Sequence, residues 1–171
     1  MYQVIIADDE TKIRSGLANL FPWNQLGFEI TGSFSNGRDA YDFALSNPVD
    51  LILSDIRMPL MDGLELSERL LSRKKVKIIF FSGYQDFDYV RKALRNGVFD
   101  YLLKPVKYED LADCLTRVKE LLDREQGQDM PDVCESLSYY EKIISTVKKL
   151  SGNQLPGRHP GTGRQTGVLK P

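Results

Sequence analysis

The stretch Val4-Ile5-Ile6-Ala7-Asp8-Asp9 joins a short apolar run directly to two carboxylates. A second run, Leu51-Ile52-Leu53-Ser54-Asp55, ends in a third carboxylate, and Tyr101-Leu102-Leu103-Lys104 ends in an ammonium group. Short apolar runs of this kind are typical of buried strands in a parallel sheet. Because the carboxyl ends of neighbouring parallel strands open onto one crevice, we expect the three carboxylates and the lysine to meet there.

Segments of helical period alternate with the strand candidates, which is typical of repeated βαβ units. We predict strands at residues 2–7, 29–34, 50–54, 77–82 and 100–103. Apolar residues at helical spacing predict helix faces at Ile13, Leu17, Leu20 and Phe21, at Leu64, Leu66, Leu70 and Leu71, at Phe87, Val90, Ala93 and Leu94, and at Leu111, Cys114, Leu115, Val118, Leu121 and Leu122. Gly127 is the expected C-cap of the last of these helices. Five strands and five helices predict an α/β, flavodoxin-like doubly wound parallel sheet, with strand order 2-1-3-4-5 and helices on both faces.

Composition limits the classes of function. The chain has 171 residues, 42% of them hydrophobic, so it can bury one good core. Residues 1–126 carry 17 Lys and Arg against 20 Asp and Glu, which argues against nucleic-acid binding by this part. Cys114 and Cys134 lack metal or redox spacing. Without a signal peptide pattern or a membrane-length apolar run, the expected location is the cytoplasm.

The chain divides into three predicted parts. Residues 1–126 form the α/β domain, and residues 127–150 form a linker followed by an amphipathic connector helix. Residues 151–171 contain five Gly and three Pro and almost no apolar side chains, so we expect a disordered tail. The apolar face of the connector helix consists of Leu137, Tyr140, Ile143, Ile144, Val147 and Leu150.

The crevice chemistry favours phosphoryl transfer. Clustered carboxylates are hard oxygen ligands that suit Mg²⁺, and the only histidine, His159, lies in the tail. Asp55 is the predicted nucleophile, which accepts phosphate as an acyl phosphate. Asp9 is expected to bind Mg²⁺ directly, Asp8 through water, and Arg57 through its backbone carbonyl. The ammonium of Lys104 balances charge, and the hydroxyl of Ser82 binds a phosphoryl oxygen.

Four motifs resemble the receiver domain of two-component response regulators, over residues 1 to about 124. They are Asp8-Asp9-Glu10, Ser54-Asp55-Ile56-Arg57-Met58-Pro59 with Asp62-Gly63, Phe81-Ser82-Gly83-Tyr84, and Asp100-Tyr101-Leu102-Leu103-Lys104-Pro105. Three segments further resemble the receivers that precede AraC-type DNA-binding domains: Phe21-Pro22-Trp23, Leu26-Gly27-Phe28-Glu29 and Ser82-Gly83-Tyr84.

The resemblance implies that a sensor histidine kinase donates its phosphoryl group to Asp55 in the presence of Mg²⁺. It also implies that Ser82 and Tyr101 form the conformational switch, and that Lys104 and Pro105 are joined by a cis peptide. The fourth helix, the last strand and the fifth helix would then form a dimer face. DNA would be reached only through an output domain for which this chain has no room, so we expect a truncated or frame-disrupted product.

Simpler interpretations stay open for individual residues. Asp8 and Asp9 could cap a helix, Ser82 could satisfy backbone groups, and Tyr101 could be a core residue. A phosphorylation-independent interaction module is an alternative function. An aspartyl-phosphate phosphatase of the haloacid dehalogenase type would need an acid where Arg57 stands. A flavin-binding domain would need a phosphate loop that Asp8-Asp9-Glu10 would repel.

Overall fold

The computed structural model describes residues 1–83, 95 and 97–127. Its strands are β1 (Tyr2–Ala7), β2 (Phe28–Phe34), β3 (Leu51–Asp55), β4 (Lys77–Ser82) and β5 (Asp100–Leu103). The helices within this part of the chain are α1 (Thr11–Leu20), α2 (Gly37–Ser46), α3 (Gly63–Leu71) and α4 (Tyr108–Gln126). The helix α4 corresponds to the fifth helix predicted from the sequence.

All five strands pair in parallel in the order β2-β1-β3-β4-β5, which confirms the predicted sheet. The register explains how the strand ends align. Ala7 of β1 pairs with Ser54 of β3, so Asp8 and Asp55 follow at the same level. On the other side, Ser82 of β4 pairs with Leu103 of β5. The carboxyl ends of four strands therefore open onto the same edge of the sheet.

Side-chain alternation along the strands creates one core on each face of the sheet. In β1, Ile5 and Ala7 belong to the first core, whereas Val4 and Ile6 belong to the second. The first core contains the buried faces of α2 and α3, and the second contains those of α1 and α4. The helices are thus divided between the two faces, as a doubly wound fold requires.

Three predicted boundaries are wrong by a small margin. The strand β3 covers Leu51–Asp55 rather than 50–54, so Asp55 lies inside the strand and pairs with Phe81. The strand β2 begins at Phe28 rather than at residue 29. Phe21 is not part of the first helix: it is the extended C-cap of α1. Its successor is Pro22, and a residue before proline is disfavoured in the helical conformation.

Two further expectations concern helices. The helix between β2 and β3, counted but not located from the sequence, is α2, which begins after the N-cap Asn36. Gly127 is the C-cap of α4, as predicted. The predicted helix face of Phe87, Val90, Ala93 and Leu94, the connector helix, Cys134 and the tail with His159 lie outside the described residues. Among the described helices, none has the length and apolar character needed to cross a membrane.

Candidate functional site

Three carboxylates meet at the carboxyl end of the sheet. Side-chain oxygens of Asp8, Asp9 and Asp55, called the acidic cluster below, all lie within 4.8 Å of one another. Asp8 is completely buried, Asp55 is nearly so, and Asp9 is exposed. The first two acids come from the end of β1 and the third from the end of β3, so the sheet itself brings them together.

Lys104 reaches the acidic cluster from the end of β5. Its Nζ lies 2.9 Å from Oδ2 of Asp8 and 3.1 Å from Oδ2 of Asp55. A third carboxylate oxygen, Oε1 of Glu10, is 3.7 Å away. The backbone N–H of Lys104 donates to the carbonyl of Ser82 at 2.8 Å, and the peptide between Lys104 and Pro105 is cis. The end of β5 is thus held against both β4 and the acids.

The charges of the site are unbalanced. Three carboxylates face one ammonium group, so these four side chains together carry a net charge of −2. Burial raises the pKa of Asp55, and the hydrogen bond and charge of Lys104 only partly oppose that rise. Burial would lower the pKa of Lys104, but its contacts with Asp8 and Asp55 outweigh burial and raise it. The ammonium therefore stays charged, and the donor set fits a hard divalent cation.

The loop after Asp55 is held by close backbone contacts. Gly63 donates its N–H to the carbonyl of Ile56 at 2.8 Å, and a Cβ at this glycine would lie 2.4 Å from the carbonyl oxygen of Asp55. Gly37 approaches the carbonyl oxygen of Met61 in the same way, where a Cβ would lie 2.2 Å away. Side chains at these glycines would push the loop away, so both glycines maintain its path beside Asp55.

The two proposed switch residues are buried beside one backbone carbonyl. Ser82 and Tyr101 are 1% and 5% exposed. The Ser82 hydroxyl donates to the carbonyl of Gly83 at 3.2 Å, and the Tyr101 hydroxyl lies 3.5 Å from the same oxygen. Arg57 is exposed two residues beyond Asp55. The predicted roles of Ser82, Tyr101 and the Arg57 carbonyl remain predictions.

Sequence reasoning missed two residues around the acidic cluster. Arg14 donates from Nη1 to the backbone carbonyl of Asp8 at 2.5 Å, and the Ser54 hydroxyl donates to the carbonyl of Asp55 at 2.7 Å. Arg14 had a detectable signal, since a cation near the N-terminus of a helix opposes the helix dipole. Neither Asp8 nor Asp9 is the N-cap of α1, because that position belongs to Glu10.

A second buried carboxylate, Asp100, lies outside the acidic cluster. Its Oδ1 accepts from the N–H of Tyr101 at 2.7 Å, and its Oδ2 accepts from Cys114 Sγ at 3.0 Å and from Arg117 Nη2. Burial raises the pKa of the Cys114 thiol well above its usual range, and the charge of Asp100 adds to that rise. Cys114 is therefore a protonated core residue, in agreement with its position on the apolar face of α4.

The five-stranded parallel sheet, with acids and a lysine at its carboxyl edge, defines the class of receiver-type signalling domains. The family model described as the response regulator receiver domain matches residues 4–116, and the chain belongs to that family. This confirms the resemblance that was drawn from the four sequence motifs.

Individual relatives agree with this family. The chain is 34% identical over 126 residues to the uncharacterized transcriptional regulatory protein YesN of Bacillus subtilis (strain 168), covering 73% of this chain and 34% of YesN. The receiver domain of AraT, a response regulator from Geobacillus stearothermophilus, superposes with a TM-score of 0.70 at 37% identity, covering 73% of this chain and 98% of that domain. A two-component transcriptional regulator AraC from Clostridium phytofermentans ISDg gives 0.68 at 32% identity, covering 75% and 100%. The similarity to regulators of the AraC type is thereby confirmed, and the chain spans about a third of the length of YesN.

Proposed function

We propose that this chain is a Mg²⁺-dependent phosphoacceptor, which takes a phosphoryl group from a sensor histidine kinase onto Asp55. The single observation that carries the proposal is the position of the Asp55 carboxylate. It lies within 4.8 Å of the oxygens of Asp8 and Asp9, and 3.1 Å from the ammonium of Lys104. An anion-transfer site needs this combination of an oxygen nucleophile, a cation-binding acid pair and a fixed positive charge.

Asp8 and Asp9 serve only to bind Mg²⁺, whereas Asp55 binds the ion and also accepts the phosphoryl group. Asp8, Asp9 and Asp55, with the backbone carbonyl of Arg57, would hold Mg²⁺, because hard oxygen donors suit this ion. The bound ion supplies neutralisation of the negative charge on the phosphoryl oxygens. Burial of Asp8 and its contact with Lys104 hold the Asp8 carboxylate in place before the ion arrives.

The transfer step is a displacement at phosphorus. A carboxylate oxygen of Asp55 forms a bond to phosphorus, the P–N bond of the donor phosphohistidine breaks, and its electron pair returns to the imidazole. Asp55 already accepts hydrogen bonds from the N–H of Ile56 at 2.7 Å and from Lys104, which fix the direction of its carboxylate. Lys104 balances the added negative charge after transfer, and Ser82 donates its hydroxyl to a phosphoryl oxygen.

Ser82 and Tyr101 form the proposed switch. Both hydroxyls lie against the carbonyl of Gly83, so a movement of Ser82 toward the phosphoryl group changes the surroundings of Tyr101. Tyr101 belongs to β5, and α4 packs against the opposite face of that strand through Leu102. The change would therefore alter a dimer face made of the predicted fourth helix, β5 and α4.

The output of the signal belongs to the full-length protein. We propose that residues 1–126 are the receiver, that residues 127–150 connect it to an output domain, and that residues 151–171 are a tail. The relatives named as transcriptional regulators support control of transcription as the outcome. Contact with DNA would come only from the output domain.

Labelling with acetyl phosphate tests the acceptor. Asp55→Asn should abolish acid-labile label in the presence of Mg²⁺, because the amide cannot form an acyl phosphate. The matched control is Asp42→Asn, which removes an exposed aspartate from α2 and should leave labelling unchanged. Label that persists on Asp55→Asn would move the acceptor to another residue.

Two other outcomes favour the alternative functions. A wild-type chain that folds and binds partners but takes no label from acetyl phosphate or any kinase is a phosphorylation-independent interaction module. Continuous release of phosphate from external esters would instead indicate a phosphatase, although the exposed Arg57 occupies the position where such enzymes need an acid.

A further inference from the structure

Asp8 is held through four of its own atoms. Its N–H donates to the carbonyl of Phe34 at 3.1 Å, and its Oδ1 accepts from the N–H of Glu10 at 2.8 Å. Its Oδ2 accepts from Lys104 Nζ at 2.9 Å. The fourth contact comes from α1, where Arg14 Nη1 donates to the Asp8 carbonyl oxygen at 2.5 Å. Arg14 is therefore the helical residue that fastens this turn.

Asp9 is held much less firmly than Asp8. Within the described part of the chain, its exposed side chain has neither a hydrogen bond nor an ion pair. Its direction consequently depends on its backbone. The carbonyl that Arg14 binds belongs to the peptide joining Asp8 to Asp9, and a peptide unit is planar. Holding this carbonyl therefore fixes the plane of the peptide that contains the Asp9 nitrogen, and with it the position of the Asp9 backbone.

The residue type at position 14 suits this contact and is otherwise unfavourable for α1. A cation near the N-terminus of a helix opposes the helix dipole, and within the first turn of α1, after the N-cap Glu10, no residue is acidic. Arg14 also donates from Nη2 to Thr11 Oγ1 at 3.2 Å, so both arms of the guanidinium are engaged. A lysine has a single terminal nitrogen and cannot reproduce this planar fork.

We propose that Arg14 is a positioning residue, which orients the peptide between Asp8 and Asp9 so that the Asp9 carboxylate stays in the acidic cluster and binds Mg²⁺ more tightly. This inference rests on the magnesium site of the proposed function. Charge alone predicts the opposite sign, because a positive group beside a cation site weakens cation binding. The direction of the effect thus separates positioning from simple electrostatics.

Calorimetric titration of the full chain with Mg²⁺ measures this direction. Arg14→Met should weaken binding at least about tenfold, since removing a residue that orients a metal ligand typically costs about 10–100-fold in affinity. Arg14→Lys can keep one hydrogen bond to the Asp8 carbonyl but loses the second arm of the fork, so its affinity should lie between those of Arg14→Met and the wild type. The matched control is Lys12→Met, which removes an exposed charge from the same helical turn and should bind Mg²⁺ as tightly as the wild type or more tightly.

Failure of this inference is distinguishable from failure of the proposed function. If the wild type binds Mg²⁺ and Asp9→Ala does not, but Arg14→Met binds as tightly as the wild type or more tightly, the positioning role is wrong and the magnesium site stands. If the wild type does not bind Mg²⁺, both proposals are overturned.

Two readouts separate positioning from general destabilisation. In metal-free protein, the Glu10 amide should exchange with solvent faster in Arg14→Met than in Lys12→Met, because the turn that this amide closes is loosened. In labelling with acetyl phosphate, Arg14→Met should require more Mg²⁺ for half-maximal labelling but should approach the wild-type level at saturating Mg²⁺. If labelling stays low at saturating Mg²⁺ in both Arg14→Met and the milder variant Arg14→Lys, the positioning role is wrong.

Discussion

Asp8 and Asp100 are both completely buried carboxylates, but their surroundings differ. Asp100 accepts hydrogen bonds from a backbone N–H, a thiol and the guanidinium of Arg117, which matches its charge. Asp8 shares one ammonium group with Asp55 and has Asp9 beside it. A buried acid whose charge is balanced is a structural residue, whose loss destabilises the fold. A group of acids with excess negative charge is instead suited to bind a cation.

The largest effect on stability is expected at the balanced acid. Asp100→Asn removes the charge that pairs with Arg117, whose side chain is 34% exposed, and should lower the free energy of unfolding by about 2 kcal/mol. Urea unfolding measures this loss. Asp113→Asn, an exposed change on the same helix α4, is the control and should cost far less. Equal stability of the two variants would contradict the assignment of Asp100 as a structural residue.

The unbalanced acids should respond with the opposite sign. In the presence of a chelator, Asp9→Asn removes one of three repelling carboxylates and should raise the free energy of unfolding by about 1 kcal/mol. Added Mg²⁺ should stabilise the wild type through binding to the folded state and should stabilise Asp9→Asn much less. With Mg²⁺ the wild type would then be the more stable of the two. If Asp9→Asn were less stable than the wild type in the presence of the chelator, the contrast between balanced and unbalanced acids would be contradicted.

A pH titration of stability sharpens the same contrast. Burial, opposed in part by Lys104, raises the pKa of Asp55 above its ordinary value of 3.8, so its protonated form favours the folded state. This contribution to the free energy of unfolding is fully present below the ordinary pKa of 3.8, and it is lost as the pH rises through the raised pKa of Asp55 in the folded protein. Metal-free Asp55→Asn should lack this part of the pH dependence. If the free energies of unfolding of the wild type and Asp55→Asn changed with pH in parallel, the raised pKa of Asp55 would be contradicted.

The smallest effect is expected at an exposed acid. Hydrogen bonds from Lys119 and then Tyr2 lower the pKa of Asp123 on α4. Because the pKa of Asp123 is lowered, its carboxylate stabilises the fold at pH values above the ordinary pKa. This stabilisation is lost as the pH falls through the lowered pKa of the folded protein. Asp123→Asn should therefore lower the melting temperature slightly at neutral pH and leave it unchanged in strong acid. A loss as large as that of Asp100→Asn would show that exposure does not separate the two acids.

Much of the fold was predictable because strands and their ends have local signals. Short runs of strand-forming residues located all five strands within one residue at each boundary, and three of them, β1, β3 and β5, end in or before a charged residue. The helix α2 was not located, because its buried residues include Gly37, Ala40 and Ala44, whose small side chains give a weak apolar period. Phe21 has the right spacing for α1, but the proline after it ends the helix.

The functional site was predictable in its residue types and less so in its supports. Asp8, Asp9, Asp55 and Lys104 stand at strand ends, and parallel strands bring such ends together. The contact of Arg14 with a backbone carbonyl depends on how α1 lies against β1, which local sequence does not specify. The same holds for Ser54, whose hydroxyl reaches the Asp55 carbonyl.

The parallel sheet and its strand order could be predicted from the amino-acid sequence alone, since apolar runs alternate with helical periods and right-handed crossovers limit the topology. The family was indicated by four motifs at the strand ends. The balance of charge around each buried acid, by contrast, became apparent only in three dimensions. Asp8 follows the end of β1 and Asp100 begins β5, but neither position shows which side chains surround the carboxylate. The difference arises from the side chains that other elements bring to each carboxylate, because electrostatic balance depends on distances in space and not on position along the chain.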